Sequence, residues 1–495
     1  MSTGKHLHAE ENPEHAHREV AQTSWPLLPS ERTWQTRQLF VVLLVAASAT
    51  WCYVIGEYVG YYLPLWPGAL AMTAGAMIGM LLVTLAVVPS SSRYGIDSVQ
   101  AAVPQFGRNG WVITVALQYL SIIGWNSLLL IFFGKSVAEF LNALGLGGKG
   151  LESWVVPVAT LVACGVVFMI LVRGTTGLER VSMVLFFFIV GVGVFLVVML
   201  LVKQGSALAD AQPAFASSKR LDFQYGVEIG LVSLLSWWPY IGSMTRQAPT
   251  PRVAVMPSML GMGLPVPILS VVGLAGILVL ETSDPAQWLT DVGGNLLGAI
   301  ALLFVIAANF GTATAGIYAS TVGLKAVPGM RRLSWNVALT LSLVPVLIIG
   351  VLLPNWFFDN FGTFLAYIGV FFAPMVGIQI VDYFVLRRQR ISLRAIYDRS
   401  PDAPYAYWSG FNPAAILAMA AGVLTYLYLL NPQSYAIHEP FSFVGASLPS
   451  AAAAAAVHVL VTVGLVRRTG RGGYAVREPT SETAATAVSP MQPQS

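Results

Sequence analysis

The chain has 495 residues, of which 56% are hydrophobic and only 10% charged, with a mean hydropathy of +0.69 and a formal net charge of +4. Soluble domains carry about 25% charged residues, so the composition excludes a soluble globular protein and points to lipid as the solvent. The two cysteines, Cys52 and Cys164, both lie in apolar runs and imply no disulfide framework.

Residues 1–36 are polar and read as a disordered cytoplasmic tail. They lack an apolar core, which argues against a cleavable signal peptide. The stretch KHLHAEENPEHAH holds four of the six histidines; a solvated tail, rather than a metal site, is the reading adopted.

Twelve apolar runs follow, near 38–63, 66–89, 110–134, 151–172, 178–202, 223–245, 254–280, 295–324, 333–354, 359–386, 411–430 and 444–466. Each is long enough for the ~20 residues that a helix needs to cross the hydrocarbon. They are continuous rather than alternating, which excludes a transmembrane barrel. The expected class is therefore an all-α integral membrane protein of twelve transmembrane helices. Residues 467–495 read as a second disordered cytoplasmic tail.

Two runs contain helix breakers. In span one, VIGEYVGYY sets Gly56 and Gly60 around Glu57; in span six, SWWPYIGSM contains Pro239 and Gly242. Proline removes an N–H and collides with the preceding turn. In hydrocarbon, open backbone groups are tolerated only where they are buried in protein or line a wet cavity. Five spans separate the two runs, so they cross in opposite directions. Each interruption lies past its own midpoint, as an inverted repeat of spans 1–5 (about 37–203) and 6–10 (about 223–386) would place it, with two additional helices at 411–466. Paired interruptions of this kind mark the central site of secondary transporters, where half-helix ends serve as ligands.

Charge placement sets the orientation. Of the 27 Lys and Arg, only Lys135, Lys149, Lys203, Lys219 and Arg220 fall in segments on one side. The other side holds the rest, so the positive-inside rule puts both termini in the cytoplasm of a cell membrane, here read as a bacterial inner membrane. The pI near 9.0 is thereby a topogenic bias, and no nucleic-acid partner is expected. The partner expected from these features is the bilayer, with the protein a monomer.

Glu57 lies about six residues, ~9 Å of helix, from the centre of span one. Acids inside a membrane are costly and usually functional. It suits a proton-coupling carboxylate, a counter-charge to a cationic substrate, or a charge lining the vestibule. Trp125 with Trp237 or Trp238 can sandwich a flat ring, though only one of the adjacent pair can face a cavity. Asn126 can donate to and accept from a ring amide, or bond between helices. Glu228 is a second intramembrane acid, Lys135 and Glu139 stand four apart as a helix pair, and Asp382 beside Arg387 reads as a structural ion pair. No GxxxxGK[ST], HExxH or cysteine–histidine spacing occurs. The chain is read as no enzyme, without a cofactor, driven by an H⁺ or Na⁺ gradient rather than ATP.

Several stretches resemble the nucleobase:cation symporter-1 family, the permeases for cytosine, purines, uracil, allantoin, hydantoins and thiamine precursors. FFAPMVGIQIVDYFVLRRQRISLRAIYD from Phe371 resembles that family's tenth span and the basic loop after it. YWSGFNPAAILAMAAG from Tyr407, SWWPYIGSMTR, YASTVGLKAV from Tyr318 and the Gly124-Trp125 pair resemble its eleventh, sixth, eighth and third spans. The resemblance implies a LeuT-type fold of ten helices plus two, and an importer of a nucleobase or related heterocycle working by alternating access. It favours Trp237 over Trp238, adds Tyr240 and Gly242, and implies that Asn309, Thr312, Thr314 and Tyr318 on span eight line the site, with Ile55, Ala308 and Thr312 near a coupling ion. The chain departs from the family at Ser243, where an acid is usual, at Leu129, where hydantoin carriers place a glutamine, and at Gly311, where sodium-coupled members carry a hydroxyl. A carrier of a cationic vitamin precursor or amine, and a non-transporting sensor on the same fold, are the alternatives.

Overall fold

The computed structural model describes residues 25–148, 150–173, 178–280, 285–326 and 329–474, without the side chains of 173–190, 285, 292, 326 and 331. Most of both tails, 1–24 and 475–495, and the disorder expected of them lie outside the described residues.

The described chain is helical throughout. The core helices are α1 (Thr36–Ala47), α2 (Trp51–Gly60), α3 (Leu65–Tyr94), α4 (Ser98–Phe106), α5 (Trp111–Ala143), α6 (Leu151–Arg173), α7 (Leu178–Asp210), α8 (Lys219–Leu235), α9 (Trp238–Thr245), α10 (Pro251–Pro257), α11 (Pro265–Leu280), α12 (Pro285–Ala326), α13 (Trp335–Leu352), α14 (Pro354–Asp359) and α15 (Phe361–Ile380). Then come α16 (Leu393–Tyr397), α17 (Pro413–Leu429), α18 (Phe441–Val444) and α19 (Ser447–Val461). Among the described residues, nine helices are long and apolar enough to cross a membrane, and α1 with α2 make a tenth span bent by 59°. The α8–α9 pair and the shorter apolar α17 occupy the remaining two of the twelve runs.

Packing follows the inverted repeat. Span one lies on α11 of span seven, and span six lies on α3 of span two, the same relationship with the two repeats exchanged. The third and eighth spans, α5 and α12, pack along each other between them.

Span one breaks earlier than the sequence suggests. The interruption falls at Ser48–Thr50, where Ser48 adopts φ −102° and ψ 89° and its hydroxyl donates back to the Leu44 carbonyl at 2.7 Å. Helix α2 runs without interruption through Ile55 and Gly56 and ends at Gly60. These glycines serve packing instead. A Cβ at Gly56 would collide with the Ser270 carbonyl, and one at Gly273 with the Tyr53 carbonyl, so α2 and α11 meet backbone to backbone. Gly60 faces the side chain of Ile277 in the same seam. Ile55 therefore sits mid-helix rather than at a helix end, and its expected place beside an ion is not where the break lies.

Span six breaks at Ser236 and Trp237, and Pro239 stands in the first turn of α9 immediately after. That is where a missing N–H costs least. Gly242 is inside α9, not at a break. Its N–H donates to Ser98 Oγ at 3.1 Å, and Ser98 in turn donates to the Trp238 carbonyl at 2.7 Å. A side chain at 242 would strike Ser98, so Gly242 admits α4 against span six. The sequence reading had no element at α4, a buried nine-residue helix whose N-cap Asp97 accepts from the Gln100 N–H at 2.7 Å.

The last membrane helix is fastened to the core by buried acids. Glu228 of α8 accepts from the backbone N–H groups of Ala446 and Ser447 and from the Ser447 hydroxyl, at 3.1, 3.0 and 2.5 Å, and so caps α19. Asp382, just past α15, receives Arg387 at 2.5 Å, His458 at 3.2 Å and Tyr474 at 2.8 Å. The Asp382–Arg387 pair is thus structural. Glu139 accepts from Thr290 at 2.8 Å, and Lys135 lies over the Phe358 ring at 4.8 Å.

Candidate functional site

The two breaks face one cavity. From α1 and α2 come Ala46 and Trp51; from α5 come Trp125, Asn126 and Leu129; from span six come Ser236, Trp237, Tyr240 and Met244; from α12 come Thr312, Ala315 and Gly316. Four elements converge here because two of them end here. A continuous helix at Trp51 or Trp237 would carry its neighbouring turns through this space.

Aromatic rings form most of the wall. Trp51 stands edge-on to Trp125 at 5.1 Å and 70°, and tilted against Trp237 at 5.7 Å and 48°. Trp237 meets Tyr240 at 5.0 Å. Behind Trp125 lies Phe361 of α15, again edge-on at 5.1 Å. The space left between the rings is about 20 Å³, room for about one water molecule. In this conformation the indoles touch each other, and a planar ligand enters only as they part.

Polar groups are few. Asn126 donates to the Ile122 carbonyl at 2.7 Å, with its carboxamide beside the Tyr240 hydroxyl. Gly316 makes room for that carboxamide, since a Cβ there would lie 2.6 Å from it. Thr312 supplies a hydroxyl on the facing helix. Leu129 offers none, and among the described residues no acid lines the cavity.

Several expected residues stand elsewhere. Trp238 is fully buried away from the cavity, its Nε1–H donating to Gln379 Oε1 at 2.6 Å and its ring against Phe372. Tyr318 packs on Trp335 at 6.0 Å and pairs with buried Arg246. Thr314 bonds back to the Phe310 carbonyl at 2.8 Å. Ala308 is buried one turn before Thr312. Asn309 does not line the cavity but grips the break in span one, accepting from Thr50 Oγ1 at 2.6 Å. Glu57, 4% exposed, lies in α2 beyond the cavity wall and accepts from the Tyr61 hydroxyl at 3.0 Å. Its neighbour Tyr58 accepts from the Gly362 N–H at 2.8 Å, which joins α2 to the start of α15.

Trp51 escaped the sequence reading. Its signal was the small, polar Ser48-Ala49-Thr50 triplet inside an apolar run, passed over because the glycines farther on looked like the break.

A family model for permeases for cytosine/purines, uracil, thiamine and allantoin matches residues 26–448. The chain belongs to that permease family. Among curated relatives, the permease is 23% identical over 438 residues to a hydantoin permease of Microbacterium maritypicum, covering 84% of each chain. It is 23% identical over 431 residues to a purine-uracil permease of Arabidopsis thaliana, covering 81% of this chain and 69% of the relative. Among solved structures, Mhp1, a nucleobase-cation-symport-1 family transporter, superposes in its closed, bromovinylhydantoin-bound conformation with a TM-score of 0.73 at 19% identity, over 90% of this chain and 95% of that one. Its inward-facing conformation gives 0.74 at 17% identity, over 95% and 98%. The permease thus has the LeuT-type fold, and it is a transport protein rather than an enzyme.

Proposed function

We propose that the permease imports a nucleobase or related small heterocycle by cation symport, with the site at the junction of the two broken spans. The observation that carries this reading is the cavity itself: three indoles and a phenol meet where α1 ends and α9 begins, the place where a carrier needs its substrate. Flat faces suit a flat ring, and Asn126 suits its amide edge. Alternating access follows from one helix bundle rocking on the other, with Tyr58 leaving the Gly362 N–H and the indoles separating as the ring enters.

The coupling ion is H⁺ or Na⁺. Thr312 presents a single hydroxyl beside Gly311, and Glu57 is the intramembrane acid nearest along α2. The cationic-substrate reading draws no support from Glu57, because that carboxylate stands outside the cavity lining. The permease sits as a monomer in a bacterial cell membrane with both termini cytoplasmic.

Uptake into proteoliposomes tests this. Labelled uracil, hydantoin, cytosine, adenine and hydroxymethylpyrimidine are offered under a pH gradient and, separately, a sodium gradient. Accumulation of at least one ring under one gradient is the expected result. Binding with no uptake under either gradient turns the reading into that of a sensor.

A further inference from the structure

Two buried indole N–H groups of this protein have an acceptor. Trp238 donates to Gln379 at 2.6 Å and Trp335 to the Leu171 carbonyl at 2.9 Å. Trp51 and Trp125 are 2% and 6% exposed, yet the Nε1–H of each is buried with no acceptor among the described residues. Both of these indoles line the cavity. An unmet buried donor is costly in a finished core, and it becomes an asset where a ligand supplies the acceptor.

Resting on the reading as a heterocycle permease, we propose that the Trp51 and Trp125 indole N–H groups are hydrogen-bond donors to the substrate. Through them the site selects rings whose edge carries carbonyl oxygens, the cyclic ureides and imides, over rings whose edge carries an exocyclic amine. An indole N–H donates only. Such a donor facing an amine stands donor against donor and stays unpaired. The acceptors on the wall are all neutral: the Asn126 carboxamide oxygen and the hydroxyl oxygens of Ser236, Tyr240 and Thr312, with no acid among the described lining residues. The Asn126 carboxamide oxygen, beside Tyr240, is left to receive a ring N–H. The two unmet donors, with the Asn126 oxygen beside them, complement a ring N–H between two carbonyls. Trp51 is then more than a wall. It belongs to the first turn after the break in span one, so recognition of the carbonyl edge is built into a segment at the broken span.

The full-length protein in lipid nanodiscs decides this by competition binding against uracil and hydantoin on one side and cytosine and adenine on the other. Uracil and cytosine have nearly the same shape and share the C2 carbonyl; they differ along one edge, where uracil carries N3–H and a C4 carbonyl and cytosine an unprotonated N3 and a C4 amine. Wild type is expected to favour the oxo rings by about tenfold or more, the scale of one buried hydrogen bond gained rather than left unmet. Trp51→Phe and Trp125→Phe keep an aromatic wall and remove the donor, and each is expected to shrink that ratio to about threefold or less. Equal or tighter binding of cytosine or adenine by wild type overturns the proposal, as does an unchanged ratio in both variants. Should a variant fail to fold, the wild-type ratio alone decides. If none of the four rings binds, the heterocycle reading itself falls; if only the amino rings bind, that reading stands and this proposal does not.

Discussion

The Thr50 hydroxyl donates to Asn309 Oδ1 at 2.6 Å, and through this single bond the break in span one is fastened to the eighth span. Both side chains are buried, and the Asn309 amide Nδ2 has no acceptor of its own. The bond therefore ties a segment that must end in mid-membrane to the long part of α12 that follows its kink at Gly294.

Thr50→Val preserves the β-branched shape and removes the donor. The buried Asn309 oxygen is then unsatisfied, a cost of about 1–3 kcal/mol. Lower thermal stability in detergent is expected, together with weaker ligand protection against heating. The double variant Thr50→Val/Asn309→Leu removes both partners at once and is expected to cost less stability than Thr50→Val alone, which a melting series on the two proteins checks.

The α2–α11 seam distinguishes two glycines of similar appearance. At Gly56 an added Cβ meets the Ser270 carbonyl and the Leu274 amide, which are backbone atoms that cannot turn aside. At Gly60 the nearest atom is the Ile277 Cγ2, which can move. Gly56→Ala is expected to abolish monodisperse expression, while Gly60→Ala is expected to be tolerated within about 1–2 kcal/mol. Size-exclusion profiles of the two variants report the difference.

Glu57 accepts one hydrogen bond, from Tyr61, beyond the wall of the cavity. If it carries the coupling proton, Glu57→Gln retains exchange of substrate across the membrane and loses accumulation against a gradient. A variant that still concentrates substrate removes Glu57 from the coupling step.

Asp382 and Glu228 are buried acids of the other kind. Arg387→Ala leaves Asp382 buried without its guanidinium, a loss on the order of 3–5 kcal/mol, and is expected to prevent stable folding. Glu228→Gln keeps one acceptor for the α19 amides and is expected to lower the melting temperature without altering which ring is bound. A change in substrate preference in Glu228→Gln would contradict the capping role.

The neighbouring indoles of span six are separable in the same way. Trp237→Ala is expected to abolish binding at the cavity. Trp238→Phe loses the bond to Gln379, about 1 kcal/mol of stability, with ligand affinity retained. Paired binding and melting curves on the two variants test both halves.

The sequence by itself determined the solvent, the number of apolar runs, the pairing of two interrupted spans and the family. Each of these rests on a local rule: about 20 apolar residues per crossing, and a proline that cannot donate, as at Pro239. Trp125 and Trp237 were legible for the same reason, as large rings near mid-span. Tertiary structure alone decided where span one breaks, because glycine permits both a bend and a close approach, and only Ser270 on a distant helix shows which use Gly56 serves. The family resemblance favoured Trp237 over Trp238, and the structure supplies the reason: Gln379, 141 positions along the chain, claims the Trp238 N–H and leaves Trp237 to the cavity. Glu228 was settled likewise, by the amides of Ala446 and Ser447 more than 200 residues away. Burying a polar group is affordable only with its partner in place, and such partners are set by packing in space, not by neighbours in sequence.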